Sequence, residues 1–149
     1  MEFKIPKSIK SEHEELHAQL SNATEAGGAT EGAAKAVAKI LHPHFVKEEE
    51  YAMPPLGLLN LLAENKITPE LSGVLKMTDK LRAELGQMLA EHKEIVSSLE
   101  ELIKQAKKEK KTEYVKFAEK LILHAQTEEE VYYPAALLIG DYVKLKLKK

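Results

Sequence analysis

Along nearly the whole chain, apolar residues recur at steps of three and four, the period of one helix face. Alternating apolar runs bounded by turns, which would mark strands, are missing. The first stripe is Ile9, His13, Leu16 and Leu20, on a helix predicted to begin after Pro6 and run to about residue 25. The second is Val37, Ile40, Leu41, His44 and Glu48. The third, Leu81, Leu85, Met88, His92, Ile95, Leu99 and Leu102, is the most regular and predicts a long helix reaching about Lys107. The fourth is Phe117, Leu121, His124, Glu128 and Tyr132.

The punctuation fits these stripes. Gly27-Gly28 closes the first helix, and Thr30 is the expected N-cap of the alanine-rich second one. Pro43 falls inside that helix, where it removes a backbone donor and should kink it. Met53-Pro54-Pro55 marks its end, and Leu56 to Leu62 predicts a helical turn covering one end of the bundle. Thr68-Pro69-Glu70 combines an N-cap, a first-position Pro and a first-turn acid, a strong helix start. Lys107 to Lys111 reads as a solvated helix end and turn, and Thr112 as the next cap. Beyond Pro134, Ala135 to Leu147 predicts a last short helix. The expected fold is all-α: an up-down antiparallel four-helix bundle with a short extra C-terminal helix, residues 1–149 forming a single domain.

Composition narrows the function. With 44% hydrophobic and 31% charged residues, the chain belongs among ordinary water-soluble domains. A net charge of −2 gives no footprint for nucleic acid or membrane, and the basic Lys144 to Lys149 reads as a cationic helix end. No apolar run has the length of a secretory signal or a membrane span, so a cytoplasmic location is expected. Cysteine is absent, which excludes disulfides, thiolate metal sites and cysteine nucleophiles. Any metal cluster must be built from histidine and carboxylate.

Such residues stand within the apolar stripes, and they repeat. His44-Phe-Val-Lys-Glu48-Glu49-Glu50 is followed by Tyr-Ala-Met-Pro54, and His124-Ala-Gln-Thr-Glu128-Glu129-Glu130 by Val-Tyr-Tyr-Pro134. His44 and His124 are 80 residues apart, as are Pro54 and Pro134; His13 and His92 are 79 apart, each preceded by Glu. The chain thus divides into two helix pairs related by a pseudo-two-fold axis. Each pair has a lone His on its first helix and a His-x-x-x-Glu, one turn apart on one face, on its second.

Taken singly, these features are ordinary. One His-x-x-x-Glu is usually a surface pair worth a few tenths of a kcal/mol, and a lone His on an apolar stripe is usually a hydrogen-bonded core residue. Together they are not, because all four His and both Glu lie on core faces. Two carboxylates among Leu, Ile and Val would each cost several kcal/mol if charged and unpaired. Neutral imidazoles can hydrogen-bond to them but cannot cancel the charge, whereas a pair of cations can. Imidazole with carboxylate suits iron, manganese or zinc, and two bridging carboxylates in a bundle favour a di-iron or di-manganese pair. Two His and two bridging carboxylate oxygens make four protein donors per ion. A bridging oxide or hydroxide makes five, leaving one octahedral position for a small molecule such as O₂ or NO.

This constellation resembles the hemerythrin family, specifically the hemerythrin-like HHE cation-binding domains. The match runs from Glu12-His13 through His44-x-x-x-Glu48 and Glu91-His92 to His124-x-x-x-Glu128 and the Tyr-Pro beyond it. The resemblance implies a four-helix bundle around two iron ions in a non-haem, oxo- or hydroxo-bridged di-iron centre. His13, His44, His92 and His124 are then terminal ligands, and Glu48 and Glu128 bridge. Oxygen-carrying hemerythrins hold a fifth His in a His-x-x-x-His on the third helix. Here Met88 and Val96 flank His92 at that spacing. The symmetric set looks more like the domain found in proteins that repair iron–sulfur centres under nitrosative stress, without their cysteine-bearing N-terminal part.

Neighbouring residues take lesser roles in this reading. His17, one turn past His13, is a candidate fifth nitrogen or a partly exposed neighbour of the site, and His42 faces the exterior. Glu49 and Glu129, one residue off the metal face, stand at the His-plus-five position that the family sometimes uses and are alternative ligands, but solvated acids are the commoner case. Tyr132 lies one α-turn past Glu128 with Tyr133 beside it; either is in reach of the centre, but packing at the bundle end is the commoner role. No catalytic residue is assigned. The expected function is a di-iron protein that binds iron and a diatomic ligand, O₂ or NO, for sensing or iron handling. The alternatives are an iron–sulfur repair factor or a di-iron oxidase or peroxidase, and last a metal-free interaction module.

Overall fold

The computed structural model describes residues 1–148. Among them α1 (Lys7–Ala23), α2 (Gly28–Lys47), α4 (Leu75–Lys108) and α5 (Thr112–Thr127) form the bundle, with α3 (Leu59–Ala63) and α6 (Tyr133–Leu147) outside its ring. The described chain is all-helical, a four-helix bundle with an extra C-terminal helix. Going round the ring, α1 packs on α2, α2 on α4, α4 on α5 and α5 on α1. None of the described helices is long and apolar enough to cross a membrane.

Helix starts depart from the predicted caps in an instructive way. Between α1 and α2 the chain turns on Gly27 and Gly28, whose φ values of 79° and 61° favour glycine. α2 begins at Gly28, so Thr30 lies in its first turn and is not the N-cap. The acceptors that a cap would supply come from Glu109, in the turn between α4 and α5. Its carboxylate accepts the Ala29 and Thr30 N–H groups at 3.0 and 2.8 Å. The Thr30 hydroxyl donates to it as well. From the same turn Lys111 donates to the Ala26 and Gly27 carbonyls at 2.7 and 3.0 Å. A distant carboxylate at a helix N-terminus satisfies its orphan donors as a local side chain would. Thr68 marks a start but makes no side-chain cap; Pro69–Val74 first winds as a tighter 3₁₀ turn, and α4 follows. α2 continues through Pro43, whose ring lies on an exposed face.

Two turns are wider than α. Glu48–Ala52 and Glu128–Tyr132 are π-helical, with the Met53 N–H donating to the Glu48 carbonyl and the Tyr133 N–H to that of Glu128. These are i→i+5 bonds, a turn type that clusters at functional sites. Helical backbone is unbroken from α5 through its wide turn into α6, so the last helix starts two residues earlier than predicted.

The interior is two apolar clusters with a polar layer between them. One joins Leu16, Leu20, Val37, Leu41, Phe45, Ile95, Leu99 and Leu121 from the four bundle helices. The other joins Tyr51, Leu56, Leu81, Met88, Tyr133, Ile139 and Val143, where α6 lies along the first half of α4. That docking needs Gly140: a Cβ there would stand 2.3 Å from the Thr78 hydroxyl.

Candidate metal centre

The polar layer holds the six residues singled out in the sequence. His13 comes from α1, His44 from the last turn of α2, His92 from the middle of α4 and His124 from the last turn of α5. Glu48 and Glu128 open the two wide turns. All six are buried, none more than 4% exposed.

Their inward atoms form two groups that share Glu128. His44, Glu48, His92 and Glu128 offer donor atoms within 4.8 Å of one another, and so do His13, His124 and Glu128. Glu128 turns Oε1 to His92 Nε2 at 3.1 Å, and Oε2 to His124 and His13 Nε2 at 3.2 and 3.5 Å. Glu48 turns Oε2 to His44 Nε2 at 3.5 Å and Oε1 to His13 Nε2 at 3.7 Å. Each carboxylate therefore spans the two groups, one oxygen to each.

The outer ring nitrogens explain why the Nε2 atoms face inward. His44 Nδ1 lies 2.8 Å from Glu91, His92 Nδ1 3.0 Å from Glu129 and His124 Nδ1 2.5 Å from Glu12. A carboxylate at Nδ1 holds the proton there and leaves the Nε2 lone pair free, the usual support of a ligating histidine. His13 Nδ1 has only Glu49, at 3.7 Å. The pattern crosses between halves: Glu12 beside His13 serves His124, and Glu91 beside His92 serves His44. The Glu-His echo in the sequence thus has a purpose that the pattern alone does not show, and Glu129, expected to be a solvated acid, has one too. Glu129 is 39% exposed yet bonded to His92. The missed signal was the carboxylate one residue from each face, positioned to reach across to the next helix.

Tyr133 is the other departure. In an α-helix Tyr132 would stand one turn past Glu128, but the wide turn gives that place to Tyr133, which is 1% exposed. Its hydroxyl donates to Glu48 Oε2 at 2.5 Å and lies 3.3 Å from His44 Nε2 and 3.1 Å from His92 Nε2. His17 joins neither group. It is exposed, its ring 5.5 Å from His42 and 5.9 Å from Phe45.

Packed this closely, the groups shift one another's protonation. Burial, then the Glu128 carboxylate beside it, pushes Glu48 up to about 7. Burial acts the same way on Glu128, but Glu48 and the histidines His124, His13 and His92 packed around it hold it well below the usual carboxylate range. Burial pulls His44 and His124 down, but their carboxylate partners outweigh it and raise both to about 9. His13 rises for the same reason. Burial and then the two carboxylates push the Tyr133 phenol far up.

Two further observations bear on a metal ion. Glu48 Oε1 and His124 Nε2 are buried with no hydrogen-bond partner. Six carboxylates lie on or around the four histidines, and Lys47, 2.7 Å from Glu91, answers one of them. Buried imidazole nitrogen and carboxylate oxygen left unpartnered in one layer are what a cation would satisfy, so the residues fit one. A void of about 10 Å³ is lined by His44, His92, His124 and Glu128 with Leu41, Phe45, Ile95, Leu121 and Ala125.

Fold and site together define a helical bundle with a buried histidine–carboxylate cluster able to hold metal. The chain belongs to the hemerythrin family: the model described as "Hemerythrin HHE cation binding domain" matches residues 5–136. Searches of curated proteins and of solved structures return no significant match.

Proposed function

We infer that the protein is a non-haem di-iron protein that binds a small diatomic molecule, O₂ or NO. In this reading His44 and His92 would hold one iron and His13 and His124 the other, with Glu48 and Glu128 as the carboxylate ligands between them. The observation that carries it is the sharing of both carboxylates between two histidine pairs, with one oxygen turned to each. When bound, the iron pair supplies one-electron redox chemistry and open coordination positions. The chain's own residues do the rest. Glu91, Glu129 and Glu12 hold the proton of each bonded ring at Nδ1, keeping Nε2 directed inward. Leu41, Phe45, Ile95 and Leu121 give the void an apolar wall that bulk water does not wet. A void of that size is at the lower limit for a single water molecule, which favours the smallest ligands over a larger organic substrate.

Iron-replete expression followed by elemental analysis should find about two irons per chain, lost in the His44→Ala, His124→Ala double variant. A metal content near zero in the parent protein overturns the reading. If ligand binding is reversible, the spectrum of the reduced protein changes with O₂ or NO and returns under vacuum. Irreversible oxidation with steady consumption of peroxide would favour a di-iron oxidase or peroxidase instead.

A further inference from the structure

The two metal-ligating groups are not equivalent, although the repeat in the sequence makes them so. Tyr133 Oη lies 2.5 Å from Glu48 Oε2, 3.1 Å from His92 Nε2 and 3.3 Å from His44 Nε2. Adjacent donors around one octahedral ion, each about 2.1 Å from it, are about 3 Å apart. The hydroxyl thus stands at donor spacing from three of the four residues in that group. The place 80 residues earlier is Met53, also fully buried, which brings no oxygen to the other group.

We propose that Tyr133 is an additional oxygen ligand, through its phenolate, to the metal ion held by His44, Glu48, His92 and Glu128. The proposal rests on the reading of this cluster as a metal centre. Charge supports it. Glu48 and Glu128 supply two negative charges, whereas two divalent ions bring four positive ones into a buried place, and a phenolate contributes a third negative charge. Ligands give up their protons when an ion binds; the phenol proton goes to solvent, and the oxygen–metal bond replaces the hydrogen bond to Glu48. Geometry supports it as well. Tyr133 belongs to the α4–α6 apolar cluster and stands between it and the group, while the void, lined by His44, His92, His124 and Glu128, is not lined by Tyr133.

The test is spectroscopic and needs no turnover. Protein loaded with ferrous iron and then oxidised should show a visible phenolate-to-iron(III) charge-transfer band. Resonance Raman excitation in that band should enhance tyrosine ring vibrations, and these should shift when ring-deuterated tyrosine is incorporated. Y133F, with absorbance normalised to the iron it binds, should lose the band while keeping its helical circular dichroism; Y132F should keep the band. Parent protein with two irons and no tyrosine-enhanced vibrations overturns the proposal and leaves the metal centre standing, and this measurement does not depend on a variant folding. An unchanged band in Y133F also overturns it. Parent protein that takes up no iron overturns the metal-centre reading, and this proposal with it.

Discussion

Four carboxylates stand at the outer nitrogens of the four histidines, and their differing geometry predicts a graded series of losses. Glu91 is the best engaged. It is 18% exposed and accepts from His44 Nδ1 at 2.8 Å, Lys47 Nζ at 2.7 Å and Gln87 Nε2 at 3.1 Å. Burial acts to raise its carboxyl, but the Lys47, His44 and Gln87 hydrogen bonds bring it down to about 2. A charge-assisted hydrogen bond contributes about 1.5–3 kcal/mol, and about 1.4 kcal/mol is a factor of ten in affinity. Glu91→Ala should therefore weaken metal binding about 10- to 100-fold, the range typical of removing such a support. Glu12 and Glu129 are 42% and 39% exposed, so solvent screens them and each should cost less than about tenfold. Glu49, 52% exposed and 3.7 Å from His13 Nδ1, should cost nothing measurable. The assay is competition for ferrous or zinc ion against a chromophoric chelator, with thermal melts of the metal-free variants to show that each is folded. Equal losses at all four positions, or a loss at Glu49 as large as that at Glu91, would refute the reasoning.

Further outcomes follow from the same structure. Because His44 and His124 sit at about 9 in the folded metal-free protein, above their ordinary 6.5, their stabilising contribution is complete below 6.5 and lost as pH rises through 9. Chelator-treated protein should thus melt lower at pH 9 than at pH 6.5, whereas metal affinity should rise over that interval as competing protons leave; a metal affinity flat across it would contradict this. Glu109 is held at about 2 by its hydrogen bonds to Thr30 and Ala29, so its contribution is present above its ordinary 4.5 and lost as pH falls toward 2. Glu109→Ala should lower the melting temperature at pH 7, with the gap to the parent closing in that acid range. Leu99→Ala, at a fully buried place in the four-helix cluster, should cost about 2–5 kcal/mol in denaturant unfolding, and a cost under about 1 kcal/mol would mean the cluster is looser than described.

What was legible in the sequence was whatever depends on the 3.6-residue period and on exact repetition. Leu81, Met88, His92, Ile95, Leu99 and Leu102 are buried along α4 as the stripe required, because one face of a straight helix carries one environment. The same logic brought His13, His44, Glu48, His92, His124 and Glu128 into one layer. Three things were not legible. Thr30 looked like a cap because caps are usually local, whereas Glu109 supplies the acceptors from 79 residues away. Glu12, Glu91 and Glu129 act on neighbouring helices, so their partners cannot be read from their own helix. Tyr133 was misplaced relative to Tyr132 because a π-turn leaves no mark in a pattern read at α spacing.

The wide turns also change what a deletion would do. Losing a residue from an ordinary helix rotates all that follows by about 100° and turns a core face outward. Between α5 and α6 the turn already contains one residue beyond the α count. Without the exposed Glu130, Glu128 and Tyr133 would be four apart, the spacing of an ordinary turn, with Ala136, Ile139 and Val143 still facing α4. The exposed Glu50 is placed alike between Glu48 and Met53. The reading frame of the helix is therefore slack by one residue at these two points, and only toward shortening: an inserted residue would find no wider turn to enter.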